Sequence, residues 1–317
     1  MFSIKSCGLM FEPQQGMHVD ELANWAKYSE KSGYGYFFRS DHLLPTSGEK
    51  KERDSPECWT TLGVVSAVTR KIKFGPMVSP VGFRNPALLA RMACTLDSFS
   101  KGRTILAVGA GWNEEEYKAH GIPFPDFRTR KKHFVDALEI IKPITQGKRI
   151  DYDGEFFSAH VECFPKPYGS RMHLICGGRH RRVVETLAKY ADEWNIFSTP
   201  VDKYQELRNV AETARQRAGV VDKLAISLMS SFIIGESKRD LNKRIQNYGW
   251  ARALGSDPDA IRKTLVSKGV LCGLVEDFVA QVNKLRDLGI QKFYFQCLDT
   301  KDKEMIGLLT STLKSEF

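Results

Sequence analysis

Short apolar runs alternate along this chain with longer amphipathic stretches. The apolar runs are rich in β-branched and aromatic residues and lack polar alternation, which predicts strands buried on both faces of a parallel sheet. They fall at 4–11, 34–39, 72–78, 104–108, 173–176, 193–197, 224–234 and 292–298. Between them, 19–31, 59–68, 86–99, 130–144, 182–190, 204–218 and 277–288 repeat apolar residues three and four apart, the helical period. Eight strands with crossover helices predict an α/β fold, a closed (β/α)8 TIM barrel, running as one domain over 1–317. A doubly wound open sheet is the competing arrangement, and it rarely uses eight parallel strands in regular alternation. Two segments break the repeat. Residues 146–171, inserted after strand four, alternate around Asp153-Gly154 and predict a small hairpin. Residues 236–270 predict two extra helices before strand eight, 240–254 and 258–267, the latter capped by Asp257 with Pro258 in its first turn.

Composition narrows the class. The 317 residues are 42% hydrophobic, enough for a sizeable core, and no apolar run is long enough to span a bilayer. With no cleavable leader at the amino end, a soluble, cytoplasmic protein is expected. Seven scattered cysteines without a CxxC pair fit reduced core thiols, and neither a disulfide frame nor a metal site is expected. The net charge of +9 is spread along helices and balanced locally, unlike the clustered charge of a nucleic-acid binder. Two basic clusters stand out. Arg128-Thr129-Arg130-Lys131-Lys132 reads as a solvated face, whereas Arg179-His180-Arg181-Arg182 follows two glycines at a helix start, where free amides and cations suit an anion or phosphate.

In such a barrel the chemistry sits at the carboxyl ends of strands. Strand one ends in Glu12, expected to point into the mouth. Strand two ends in Asp41-His42, the best general acid/base candidate in the chain, with a structural tie for the loop as the competing reading. Around strand three, the run Phe74 to Pro80 carries Pro76 inside and Pro80 at its end, which argues for a bulge. Strand four runs into Gly109-Ala110-Gly111-Trp112, a loop open to close ligand approach, after which Asn113 is placed to cap a helix opening with Glu114, Glu115 and Glu116. Strand five ends in Cys176-Gly177-Gly178-Arg179, with Cys176 read as a buried thiol.

Taken in order, these pieces resemble the luciferase-like flavin and deazaflavin oxidoreductases. The resemblance rests on Ser40-Asp41-His42, Val78-Ser79-Pro80 to Phe83-Arg84-Asn85-Pro86-Ala87, Leu96-Asp97 to Ser100-Lys101-Gly102-Arg103, Val108-Gly109-Ala110-Gly111-Trp112-Asn113 to Glu116-Tyr117, Gly121 to Pro123-Phe124 and Arg128, Cys176-Gly177-Gly178, and Tyr190-Ala191-Asp192-Glu193-Trp194-Asn195. It implies the branch using coenzyme F420, with FMN as the alternative cofactor, and a homodimer acting on a small molecule. It further implies a non-prolyl cis peptide at the bulge of Pro76, Met77 and Val78. By the same resemblance Gly109, Gly111 and Trp112 lie near the ring, and Cys176, Gly177, Gly178 and Arg179 near the phosphate end. Asp41, His42 and Glu12 are implied as catalytic residues. Trp112 replaces the acid, and Thr46 the Trp, carried by the sugar and alcohol dehydrogenases of that branch. Those departures favour a reductase of an imine, a methylene-pterin or an activated alkene over an alcohol dehydrogenase.

Overall fold

The computed structural model describes residues 2–46, 54–248 and 251–317. Its centre is a ring of parallel strands, β1 (Cys7–Phe11), β2 (Tyr36–Arg39), β3 (Lys73–Pro76, resumed at Ser79–Pro80), β4 (Leu106–Gly109), β5 (Leu174–Gly177), β6 (Glu193–Phe197), β7 (Ala225–Gly235) and β8 (Lys292–Cys297). Each pairs with its neighbours in sequence, and β8 pairs with β1. The last seam, between β3 and β4, is joined by the bridge Phe74–Thr104 and the pairs Ser79–Val108 and Pro80–Gly109. Gly75 permits that seam, because a Cβ there would stand 2.3 Å from the Ile105 carbonyl oxygen. The sheet is a closed (β/α)8 barrel.

Strand parity divides the core. Met10, Phe38, Ile105, Ala107, Ile175 and Tyr294 point inward and, with Met77, plug the barrel. Their neighbours Leu9, Phe37, Leu106, Cys176 and Phe295 point outward, into the layer filled by the helices. That layer comprises α1 (Val19–Ser32), α2 (Cys58–Val68), α3 (Pro86–Ser100), α4 (Phe127–Thr145), α5 (Arg181–Leu187), α6 (Val201–Arg217), α7 (Val275–Asp287) and α8 (Lys303–Ser315). The predicted hairpin is present as Ile150–Asp153 against Ser158–Val161.

Several boundaries differ from the sequence reading for local reasons. The first strand begins at Cys7, because Ser3 caps a 3-10 turn at Ile4–Ser6. The helix expected over 240–254 is instead Lys238–Asn247 followed by a 3-10 turn at Ala251–Leu254; residues 249 and 250 lie outside the described residues. A short strand, Leu271–Leu274, adds to the end of β7. Helix α8 escaped the pattern reading because Gly307, Thr310 and Thr312 dilute its apolar stripe of Met305, Ile306, Leu309 and Leu313.

At the opposite end of the barrel from the predicted mouth, Glu193 is fully buried. Its carboxylate accepts hydrogen bonds from Tyr294 Oη (2.7 Å) and His173 Nε2 (2.9 Å), and pairs with Lys292 Nζ. Burial acts to raise the Glu193 pKa, but the His173 bond and the Lys292 charge outweigh it and hold the carboxyl at about 2. The unfolded value is about 4.3. The resulting stabilisation is therefore complete above that pH and is lost as pH falls toward 2. Replacement Glu193→Gln strands the Lys292 charge and is expected to cost about 3–5 kcal/mol at pH 7. In urea titrations across pH, the gap between wild type and variant should narrow steadily below about pH 4.5; a gap independent of pH would contradict this role.

Candidate active site

The carboxyl ends of β1, β2, β7 and β8 are tied by buried polar side chains. Glu12, just after β1, accepts from Gln14 Nε2 and Gln296 Nε2, each at 2.5 Å. Gln14 Oε1 in turn accepts from Ser40 Oγ (2.6 Å), and Gln296 Oε1 from Ser231 Oγ (2.7 Å). Both Glu12 oxygens thus receive an amide N–H, the pattern of a carboxylate fixed as an acceptor.

Asp41 and His42 are adjacent in sequence and divide into different tasks. Asp41 is buried, and its Oδ2 accepts from Ser79 Oγ (2.5 Å) and Arg84 Nη1 (2.7 Å), while Oδ1 accepts from Arg84 Nη2 (3.1 Å). Arg84 also meets Glu57 Oε1 at 2.5 Å, and Trp59 Nε1 donates to Ser79 Oγ at 3.0 Å. Asp41 is thereby committed to a brace linking the end of β2 to the end of β3 and the start of α2. His42 leaves one ring nitrogen open among the described residues. Its Nδ1 faces Glu116 Oε1 and Oε2 at 2.9 and 3.0 Å, and the Leu43 amide donates to the same carboxylate at 3.0 Å. No described residue bonds its Nε2. Burial acts to lower the imidazole pKa; the Glu116 bond and the charges of Glu12, Glu116 and Asp41 overcome this and raise it. Trp112 lies edge to face beside the imidazole, centroids 5.5 Å apart, and is 66% exposed, unusual for the largest apolar side chain.

Residue 116 is the partner the sequence reading missed. Three consecutive glutamates at a helix start do not differ in sequence, and Asn113 before them is placed to cap that helix. The helix is Glu114–Ala119, Asn113 makes no side-chain capping bond, and Glu116 alone of the three is buried, beside Tyr117. Its position on the inner face of the turn, next to an aromatic, is the signal that separates it from its neighbours.

Between β3's two pieces the chain leaves the ladder at Met77 and Val78, and the Met77–Val78 peptide is cis, as the resemblance implies. Pro76 and Met77 are buried, whereas Val78 stays partly open above the inner plug. The mouth glycines accommodate this bulge: a Cβ on Gly109 would stand 2.7 Å from Val78 Cγ2, and one on Gly177 3.0 Å from Cγ1. Gly111, at φ +78°, and Gly178 make room for Tyr117 and Val183. Their bareness therefore has an internal cause. The Cys176 side chain lies wholly within the outward layer, turned from the mouth, as a buried thiol, and burial pushes its pKa up; only its backbone lies near the loop after β5. Arg179 is exposed, reaches Ser198 O at 3.4 Å and lies 5.5 Å from the Phe197 ring centroid.

The sequence profile of luciferase-like monooxygenases matches residues 6–292. The chain belongs to that family. Within it, a stretch of 212 residues, 67% of this chain, is 32% identical to a 5,10-methylenetetrahydromethanopterin reductase of Archaeoglobus fulgidus, covering 59% of that protein. Among solved structures, the coenzyme F420-dependent tetrahydromethanopterin reductase of Methanopyrus kandleri superposes with a TM-score of 0.75 at 18% identity, over 98% of this chain and 97% of that one. The FMN-bound oxygenating constituent of 3,6-diketocamphane monooxygenase from Pseudomonas putida superposes with a TM-score of 0.76, also at 18% identity and over the same shares. At that identity the likeness establishes the luciferase-like fold. Among the described residues no helix is long and apolar enough to cross a membrane.

Glu116→Gln removes the bond and the charge that raise His42. Its imidazole pKa should fall, as read by NMR of the His42 ring across pH; an unchanged midpoint would show that Glu12 and Asp41 suffice.

Proposed function

We propose that this luciferase-like chain is a reductase dependent on coenzyme F420, acting on a small imine, methylene-pterin or activated alkene. The observation that carries the reading is the His42–Glu116 pair: an imidazole with a raised pKa whose Nε2 has no partner among the described residues, packed against the exposed Trp112 ring. The residues fit a flat heteroaromatic ring. Val78 gives a part-open apolar floor above the barrel plug, Trp112 an exposed aromatic flank, and His42 an edge able to donate a proton.

A bound reduced deazaflavin supplies hydride. The chain's residues do the rest. Saturating such a double bond needs a proton besides the hydride, and His42 Nε2–H is the group placed to deliver it to the acceptor's heteroatom or second carbon. Glu116 balances the imidazolium, whose Nε2–H is the proton to be given up, and by holding Nδ1 it fixes the ring so that Nε2 faces away from it. Asp41 acts at one remove by holding the loop, and Glu12 offers a fixed acceptor to an N–H or O–H of ring or substrate. The loop after β5 at Gly177 and Gly178, with Arg179 nearby, would receive the phosphate end, although the Gly178 amide itself donates to Asn195 O at 3.2 Å.

The archaeal reductase relative and the F420-dependent structural neighbour support this reading. In separate fluorescence titrations, saturable binding of F420 is expected, with FMN weaker and no oxygen consumed. His42→Ala should retain F420 but lose about 10²–10⁴-fold in acceptor reduction. Tight binding of FMN with oxygen uptake would move the assignment to a flavin monooxygenase.

A homodimer belongs to the same reading. Helix α2 is largely apolar, the composition of a buried helix, yet Ala67 is exposed and Gly63 and Val64 are half-buried, and on α3 Leu88 and Phe99 are also exposed. Light scattering should give twice the chain mass, and Val64→Glu should halve it.

A further inference from the structure

The two basic clusters of the sequence, some fifty residues apart, meet in space. A groove of about 380 Å³ runs between α4, the inserted hairpin and the start of α5, lined by Phe127, Arg128, Lys131, Lys132, Val135, Asp136, Glu155 and Arg182. Four cations face two carboxylates, and both carboxylates are already engaged. Glu155 pairs with Lys132 at 2.8 Å, and Asp136 accepts from Tyr152 Oη (2.9 Å) and the Phe156 amide (2.8 Å). Among the described residues, Arg128, Lys131 and Arg182 have no carboxylate within 4.0 Å. They therefore repel one another across a single concavity, an arrangement that an anion relieves. The groove adjoins the loop after β5: Arg182 begins α5, its amide bonds His180 Nδ1 at 3.2 Å, and the His180 ring packs on Phe127, centroids 4.5 Å apart.

We propose that this groove is an anion subsite that holds the oligocarboxylate end of an elongated ligand whose ring occupies the barrel mouth. Resting on the F420 reading, the inference assigns Arg128, Lys131 and Arg182 to the oligoglutamate tail, beyond the phosphate at Gly177 and Gly178. The groove's volume suits a few carboxylates and is too small for a nucleic-acid duplex. A flavin mononucleotide, which ends at its phosphate, would not enter it.

The test compares three probes by fluorescence titration: the deazaflavin core without phosphate or tail, F420 carrying one glutamate, and F420 carrying several. The proteins are wild type and the exposed-face triple variant Arg128→Gln, Lys131→Gln, Arg182→Gln. In wild type, affinity should rise with tail length and weaken with salt. In the variant, long-tailed F420 should bind at least tenfold more weakly, tail-length dependence should disappear, and core binding should stay within twofold. Affinity independent of tail length in wild type, or an equal loss for all three probes in the variant, would overturn the subsite while leaving F420 binding intact. If wild type bound none of the three, the F420 reading itself would fall, and the subsite with it.

Discussion

The arrangement of the mouth depends on one buried ion pair. The Asp41 carboxylate receives both terminal nitrogens of Arg84 and the Ser79 hydroxyl, and Arg84 extends the contact to Glu57 at the cap of α2. Three separate pieces of chain, the ends of β2 and β3 and the start of α2, are thereby held through a buried Asp41 carboxylate and a largely buried Arg84 that reaches the half-exposed Glu57. Planar bidentate geometry specifies direction as well as distance. His42 follows Asp41 directly, so the position of the imidazole is inherited from this brace and then trimmed by Glu116.

The same economy of parts governs the barrel floor. Steric space at Gly109 and Gly177 is spent on Val78, so the bulge is gripped between the ends of β4 and β5. The bulge breaks the ladder between Pro76 and Ser79, yet the seam stays closed because Phe74–Thr104 pairs below it and Ser79–Val108 above. A side chain displaced from the ladder thus forms a supported apolar surface over the inner plug.

Much of this was legible in the sequence, for identifiable reasons. Strands buried on both faces give unbroken apolar runs, and crossover helices give a three-to-four period, so the barrel follows from patterns local to each element. Asp41 and His42 were legible as a candidate site by position at a strand end. Their division of labour was not, because it depends on partners far along the chain: Ser79 lies 38 residues from Asp41, and Glu116 lies 74 from His42. Periodicity carries no information about which of three adjacent glutamates turns inward. The mouth glycines show the converse, since bareness in sequence invites a ligand explanation while the structure fills the space with Val78, Tyr117 and Val183. Helix α8 and the strand Leu271–Leu274 lay beneath the threshold of pattern, one diluted by glycine and threonines, the other only four residues long.

The network around Glu12 has a directional consequence. Gln14 and Gln296 each spend an amide on it, so the inner wall of the mouth holds a carboxylate whose charge is oriented by side chains drawn from β8 and the loop after β1. The loop after β5 and the start of α5, across the mouth, carry Arg179, Arg181 and Arg182. The site is thus electrically polar from wall to rim. A ligand with an electron-poor head and an anionic end has one favourable way to lie in it, and the reversed pose sets like charge against like.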